Sequence, residues 1–150
     1  MGERLLGWQR LNWHDRVRIT GLALLLVPVH ASLRVFGYAR TRHWLERLST
    51  APDLLAPTPC DITQAWRLAE LASIAGRHGL VNANCLRQSL LLHFLLRRRS
   101  LAPALMLGVR RRGGSDMDAH AWVQLGDTAL GQTGLAHTAL PGHAWQRQAK

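Results

Sequence analysis

Apolar residues recur at helical spacing over most of the first hundred positions, and at strand spacing after residue 103. Residues 1–14 carry Leu5, Leu6, Trp8, Leu11 and Trp13 without a period, and no element is expected there. Asp15 stands where it can cap a helix running from Arg16, with Val17, Leu24, Leu25 and Val27 on its apolar side. Pro28 predicts a kink or an end, because its ring removes a helical hydrogen bond. Leu33, Val35 and Phe36 lead to Gly37, a C-terminal stop, and Thr41 opens a short helix through Trp44, Leu45 and Leu48. Residues 49–60, with three prolines, predict a loop ending at Cys60.

Asp61 with Gln64 three positions on resembles an acidic capping box for a helix over 61–77. Ile62, Ala65, Leu68, Ala69, Ala72 and Ala75 form one face of it, and His78 and Gly79 close it, with Gly79 at C′. The next helix, from Cys85 to about Arg99, is apolar on most sides through Leu86, Leu90, Leu91, Leu92, Phe94, Leu95 and Leu96, which predicts a central position. Asn82 or Asn84 can cap it; Arg97, Arg98 and Arg99 meet its negative end, and Pro103 forbids continuation. Residues 104–110 suit a strand and 111–118 a polar loop. Residues 119–125 alternate, His120, Trp122 and Gln124 against Ala121, Val123 and Leu125. Gly126 and Asp127 suit a two-residue hairpin turn into a return strand over 128–132, and nothing is assigned beyond Gly134. Helices first and an antiparallel sheet last make the fold class α+β.

At 150 residues, 47% of them apolar, the chain is one folded domain rather than a disordered tail. Its net charge of +10 is almost wholly arginine, since Lys150 is the only lysine; a GxxxxGK[ST] phosphate loop is absent. A basic balance suits nucleic acid, an anionic membrane or an acidic peptide. The arginines are nevertheless scattered, as on a solvated surface, with runs only at 97–99 and 110–112, and no nucleic-acid partner is expected. Cys60 and Cys85 make neither a disulfide framework nor a CxxC pair, which points to a reducing, cytoplasmic setting. No signal peptide is visible. The apolar run 19–29 is shorter than a bilayer span, so a buried helix is expected, with membrane association left open.

Cys85 falls on the first turn of the central helix, where free N–H groups and the helix dipole favour a thiolate and can hold an oxyanion. His120 opens a following strand and can serve as its base. Taken from the residues alone, a small buried thiol and a core histidine explain the same positions. Cys60, at the end of a loop, has nothing nearby to activate it. His78 reads as a helix-end residue, His93 as a paired core histidine, and Ser89 as a packing or capping hydroxyl. Trp122 suits either the core or the wall of a substrate groove, and His137 and His143 lack metal-ligand spacing.

Cys85-Leu86-x-x-Ser89-Leu90 opening a leucine-rich helix, its arginine-rich end, a strand closing on Gly108-Val109-Arg110, a glycine-containing loop and then Ala119-His120-Ala121-Trp122-Val123 together resemble one family. It is the leader peptidase of lasso-peptide biosynthesis in its stand-alone form, similar in fold to transglutaminase-like cysteine proteases. Arg34, Gly37, Arg40, Thr41, Arg42, Trp44 and Leu45 extend the likeness, so that it covers residues 16–132. The resemblance implies a transglutaminase-like, papain-like core, with an N-terminal helical segment over 1–50 and a catalytic core over 61–134.

It also implies that Cys85 attacks a carbonyl near the end of a precursor's leader while His120 shuttles the proton, with no cofactor. The implied partners are the precursor peptide, a small leader-recognition protein and a separate cyclase. The family places an aspartate on the return strand about twelve residues after the histidine, and here Gln132 stands there. A neutral amide can hold an imidazole tautomer but stabilises an imidazolium less than a carboxylate does. Across a plain two-residue turn His120 pairs with Thr133, whereas a bulge would bring in Gln132; Asp116 or Asp118 could substitute, and Asp127 lies too far along the ladder. Acyl transfer to an amine by the same pair, or a non-catalytic basic scaffold of the maturation complex, are the alternatives.

Overall fold

The computed structural model describes residues 12–49, 53–81, 83–111, 117–131 and 138–139, and among these described residues three helices precede one antiparallel sheet. The first helix, α1 (Trp13–Leu48), starts earlier than the Asp15 signal predicts. Asn12, extended at φ −61° and ψ 149°, is its N-cap, and the Asn12 carbonyl accepts the Asp15 and Arg16 N–H groups. Asp15 lies three positions past the cap; its carboxylate instead accepts a 2.6 Å bond from Arg67 on the second helix. The chain stays helical through the exposed Pro28 and breaks at Gly37, whose φ of 74° and ψ of 178° are open to glycine. Thr41 therefore does not open a helix; it is buried a turn inside the segment beyond the break.

The buried stripe of α1 is Ile19, Leu22, Leu26 and Val29. Val17, Leu24 and Leu25, assigned by pattern to its inner side, are exposed at 54%, 57% and 41%. A helix apolar all round carries no internal signal for which side meets the core. The packing of neighbours decides, and it leaves the other side of this expected buried helix uncovered.

The second helix, α2 (Pro59–His78), is capped three residues before the expected capping box. Thr58 is the N-cap: Asp61 N–H donates to its hydroxyl, and the Asp61 carboxylate accepts from Thr58 N–H at 2.9 Å. Pro59 then occupies the first helical position, where its missing donor costs nothing. Cys60 thus lies inside the first turn of α2, exposed, rather than at the end of a loop. At the other end Gly79 has φ −79°, so it is not a left-handed cap. Its need is steric: a Cβ there would stand 2.4 Å from the Ala75 carbonyl oxygen and 3.1 Å from Ala23 Cβ.

The third helix, α3 (Cys85–Arg97), is the central one, packing against α1, α2 and the sheet. Leu90, Leu92 and Leu96 join Val29, Ala65 and Ala69 with Leu105, Val123, Leu125 and Leu130 in one buried cluster. Leu91 joins Ile19, Leu22, Leu26, Leu71, Ala72 and Ala75 in a second. The arginines at its end are taken up locally: Arg97 donates to Ser49 Oγ at 3.2 Å, and Arg98 lies over the Phe94 ring.

The sheet is ordered β3-β2-β1-β4, with β1 (Pro103–Arg111), β2 (Met117–Leu125), β3 (Thr128–Leu130) and β4 (Thr138–Ala139). Leu125 pairs with Thr128 across Gly126 and Asp127, Gly126 at φ 58°, which is the expected two-residue hairpin. The return strand is shorter than expected and ends before Gly131, at φ 76°. Thr138 and Ala139, where no element was assigned, pair with Val109 and Gly108 on the far edge of β1. Two residues are too few to show a period, so only the neighbouring strand reveals them.

Candidate active site

Cys85 opens α3 because Asn84, at φ −70° and ψ 173°, ends the connector and caps the helix. Its side-chain oxygen accepts Arg87 N–H at 3.2 Å, and its carbonyl accepts Gln88 N–H. The remaining first-turn amides, of Cys85 and Leu86, have no partner within the helix. The connector is fixed from behind. Gln88 Nε2 donates to the Ala83 carbonyl at 2.7 Å, and Ala83 N–H donates to the Gly76 carbonyl. Gly76 is what admits Gln88, since a Cβ at that position would lie 2.3 Å from Nε2. Neither Gln88 nor Gly76 was singled out for this from sequence; a lone glycine within the helical pattern was the available signal.

Two bonds align α3 with the sheet. The Ser89 hydroxyl, buried, donates to the Ala121 carbonyl of β2 at 2.9 Å. One turn further on, the His93 ring N–H donates to the carbonyl of Pro103, which pairs with Leu125. The helix therefore runs along β2 in the same sense. Cys85, one turn or about 6 Å before Ser89, stands at the end of the helix nearest His120. Ser89 is thus a packing hydroxyl, as its sequence position suggests, and also the tie between the two segments.

His120 is half-buried and pairs with Gly108, a residue without a side chain beside it. His120 and Trp122 alternate with Ala121, Val123 and Leu125, and so share the other side of the pleat. Their rings stack, centroids 6.1 Å apart and planes at 16°. Trp122 is only 6% exposed. Gln132 and Asp116 lie outside the described residues, as do His137 and His143; Asp118 pairs with Arg110 in the ladder. Asp127 occupies the turn beyond Leu125, at least about 17 Å along the strand from His120.

His93 is the buried titratable group of α3. Burial pushes its pKa down to about 4, helped by the Arg97 and Arg42 guanidinium groups and opposed by its bond to the Pro103 carbonyl. It is a paired core histidine. Cys60 accepts a 3.4 Å contact from Gln64 on its own helix, and His78 is exposed at the end of α2. Among the described residues no group of three or more His, Cys, Asp or Glu is placed to hold a metal ion.

The Ser89 bond ties the cysteine helix to the backbone of the histidine-bearing strand, whereas the His120 side chain lies on the pleat face opposite Val123 and Leu125, which pack on that helix. Attack by a thiol with an imidazole as proton carrier needs the two side chains to meet. A family model described as the transglutaminase-like superfamily matches residues 23–138. The chain belongs to the transglutaminase-like superfamily. This superfamily generally holds cysteine-based peptidases and acyltransferases. In this transglutaminase-like chain the match begins within α1, contains all of α2 and α3, and reaches β4, so Cys85, His120 and Gln132 all fall inside it. No curated protein and no solved structure matches the chain.

Proposed function

We propose that this protein is a cysteine peptidase that removes the leader from a lasso-peptide precursor, with Cys85 as nucleophile and His120 as base. The observation that carries the reading is the Ser89–Ala121 hydrogen bond, which ties the cysteine helix to the residue beside the histidine. Membership of a superfamily of cysteine-based peptidases and acyltransferases supports it. So do the residues that resemble the leader peptidases, from Cys85-Leu86 to Ala119-His120-Ala121-Trp122-Val123.

In this reading the Cys85 sulfur bonds to the carbonyl carbon of the last leader residue, and His120 takes the thiol proton. The Cys85 and Leu86 amides face the oxyanion. Collapse of the tetrahedral intermediate breaks the C–N bond, and His120 passes its proton to the departing core-peptide amine. Water then attacks the thioester with His120 as base, and the leader leaves as a carboxylic acid. Trp122 lines the site beside the imidazole, and the family resemblance gives the role of orienting that ring to Gln132. The chemistry requires the His120 ring within hydrogen-bond reach of the Cys85 sulfur. The precursor arrives on a leader-recognition partner, and the freed amine passes to a cyclase.

The test is cleavage of a precursor peptide followed by intact-protein mass spectrometry. Wild type is expected to release the leader and to show a thioester adduct on the peptide containing Cys85. Cys85→Ala and His120→Ala should do neither, and Cys60→Ala should do both. Equal loss in the two cysteine variants would remove the case for Cys85. Transfer of the leader to added amines in preference to water would make the protein an acyltransferase.

A further inference from the structure

The side of α1 that faces away from α2 and α3 is as apolar as the side that packs on them. Trp13, Val17, Leu24, Pro28, Ala31 and Val35 follow one another at spacings of three, four and seven, which sets them along one ridge. All six are exposed, Trp13 at 71%, Leu24 at 57% and Val35 at 72% among them. No charged side chain falls on the ridge. Leu80, 75% exposed, widens it: it joins Leu24, Ala23 and Thr20 around an apolar hollow of about 300 Å³. Arg34, exposed, flanks the ridge, and Arg18, also exposed, lies further round toward the packed side, where it lines a groove with Arg67 and Arg99. An uncharged surface of this length on a folded chain marks a face that something covers.

We propose that α1 docks in the plane of an anionic lipid surface through this ridge, with Arg34 at headgroup level. The helix has a mean hydropathy of 1.7 over an 18-residue window of which only 22% is buried. It does not cross the bilayer, because Ile19, Leu22, Leu26 and Val29 are held in the core and a crossing would strip them from it. Its packed side takes the place of the polar face of an ordinary interfacial helix. The net charge of +10 favours an anionic surface and opposes a second copy of the same chain. The ridge also offers little to a protein partner. Interfaces between proteins carry roughly one hydrogen bond per 100–200 Å², whereas the Thr20 hydroxyl is already bonded to the Arg16 carbonyl at 2.9 Å.

The experiment is co-sedimentation of the full chain with sucrose-loaded vesicles of phosphatidylcholine alone or mixed with phosphatidylglycerol. Binding is expected to the mixed vesicles, weaker by about tenfold or more on phosphatidylcholine alone and falling as salt is raised. Val17→Asp and Leu24→Asp should each weaken it by about tenfold with the thermal midpoint unchanged, since both positions are exposed. Absence of binding to the mixed vesicles overturns the proposal, as does binding that both variants leave untouched. A dimer in light scattering that Leu24→Asp dissociates would assign the ridge to a second copy and overturn it equally.

Discussion

The Ser89 hydroxyl and the Ala121 carbonyl, 32 positions apart in sequence, are joined by a 2.9 Å hydrogen bond within the core. It couples the helix that begins at Cys85 to the strand that carries His120. Because the donor is buried, Ser89→Ala leaves a carbonyl without this partner, at a cost of about 1–3 kcal/mol. Urea unfolding should show that loss. In the cleavage assay kcat should fall while KM stays near its wild-type value, because the tie sets the relation between the two segments rather than the grip on substrate. A loss of stability without any loss of kcat would make the bond a packing contact only.

His93 gives the fold a pH dependence of definite sign. Its folded pKa of about 4 lies below the ordinary value of 6.5. The unfolded chain therefore takes up a proton that the folded chain refuses. The contribution to stability is fully present above pH 6.5 and is lost as pH falls from there toward 4, by on the order of 3 kcal/mol from this one group. His93→Gln, which keeps a donor for the Pro103 carbonyl but does not titrate, should flatten that part of the profile. Denaturation midpoints measured across this range decide it, and an unchanged slope in the variant would place the titration elsewhere.

Gly79 and Gly76 both exclude a Cβ, but the obstacles differ. At Gly79 the methyl would meet the Ala75 carbonyl oxygen at 2.4 Å, a backbone atom that cannot move without unwinding the end of α2. At Gly76 it would meet the tip of Gln88, which can swing away after giving up its bond to Ala83. Both alanine variants are expected to lose roughly 1–3 kcal/mol, with Gly79→Ala the more damaged by thermal unfolding. Gly76→Ala should instead show its larger effect on cleavage, since Gln88 steadies the connector into Cys85. The reverse order in either assay would count against this assignment.

Leu26 tests whether α1 belongs to the folded unit. It is fully buried, in a cluster with Leu71, Ala72 and Leu91 of the other two helices. Leu26→Ala should cost about 2–5 kcal/mol, whereas Leu24→Ala, on the exposed ridge, should change the unfolding free energy by less than about 0.5 kcal/mol. Similar small effects in both would mean that α1 is an appendage to the core.

What the residues alone determined was what local physics controls. The 3.6-residue period and the Asn84 cap set the central helix, and the placement of Cys85 on its first turn follows from them. The Gly126-Asp127 turn and the alternation before it set the hairpin. Where two local solutions competed, sequence chose wrongly: Asp61 has the spacing to start a helix but serves as N3 under Thr58, and the helix does not end at Pro28 but continues to Gly37, which supplies the break. Tertiary structure alone decided the rest. An all-round apolar α1 can bury either side, and only α2 and α3 select Ile19, Leu22, Leu26 and Val29, leaving Val17 and Leu24 outside. Thr138 and Ala139 are a strand only because β1 has a free edge there. The meeting of Ser89 with Ala121 depends on the packing of a helix on a sheet, and no spacing along the chain encodes it.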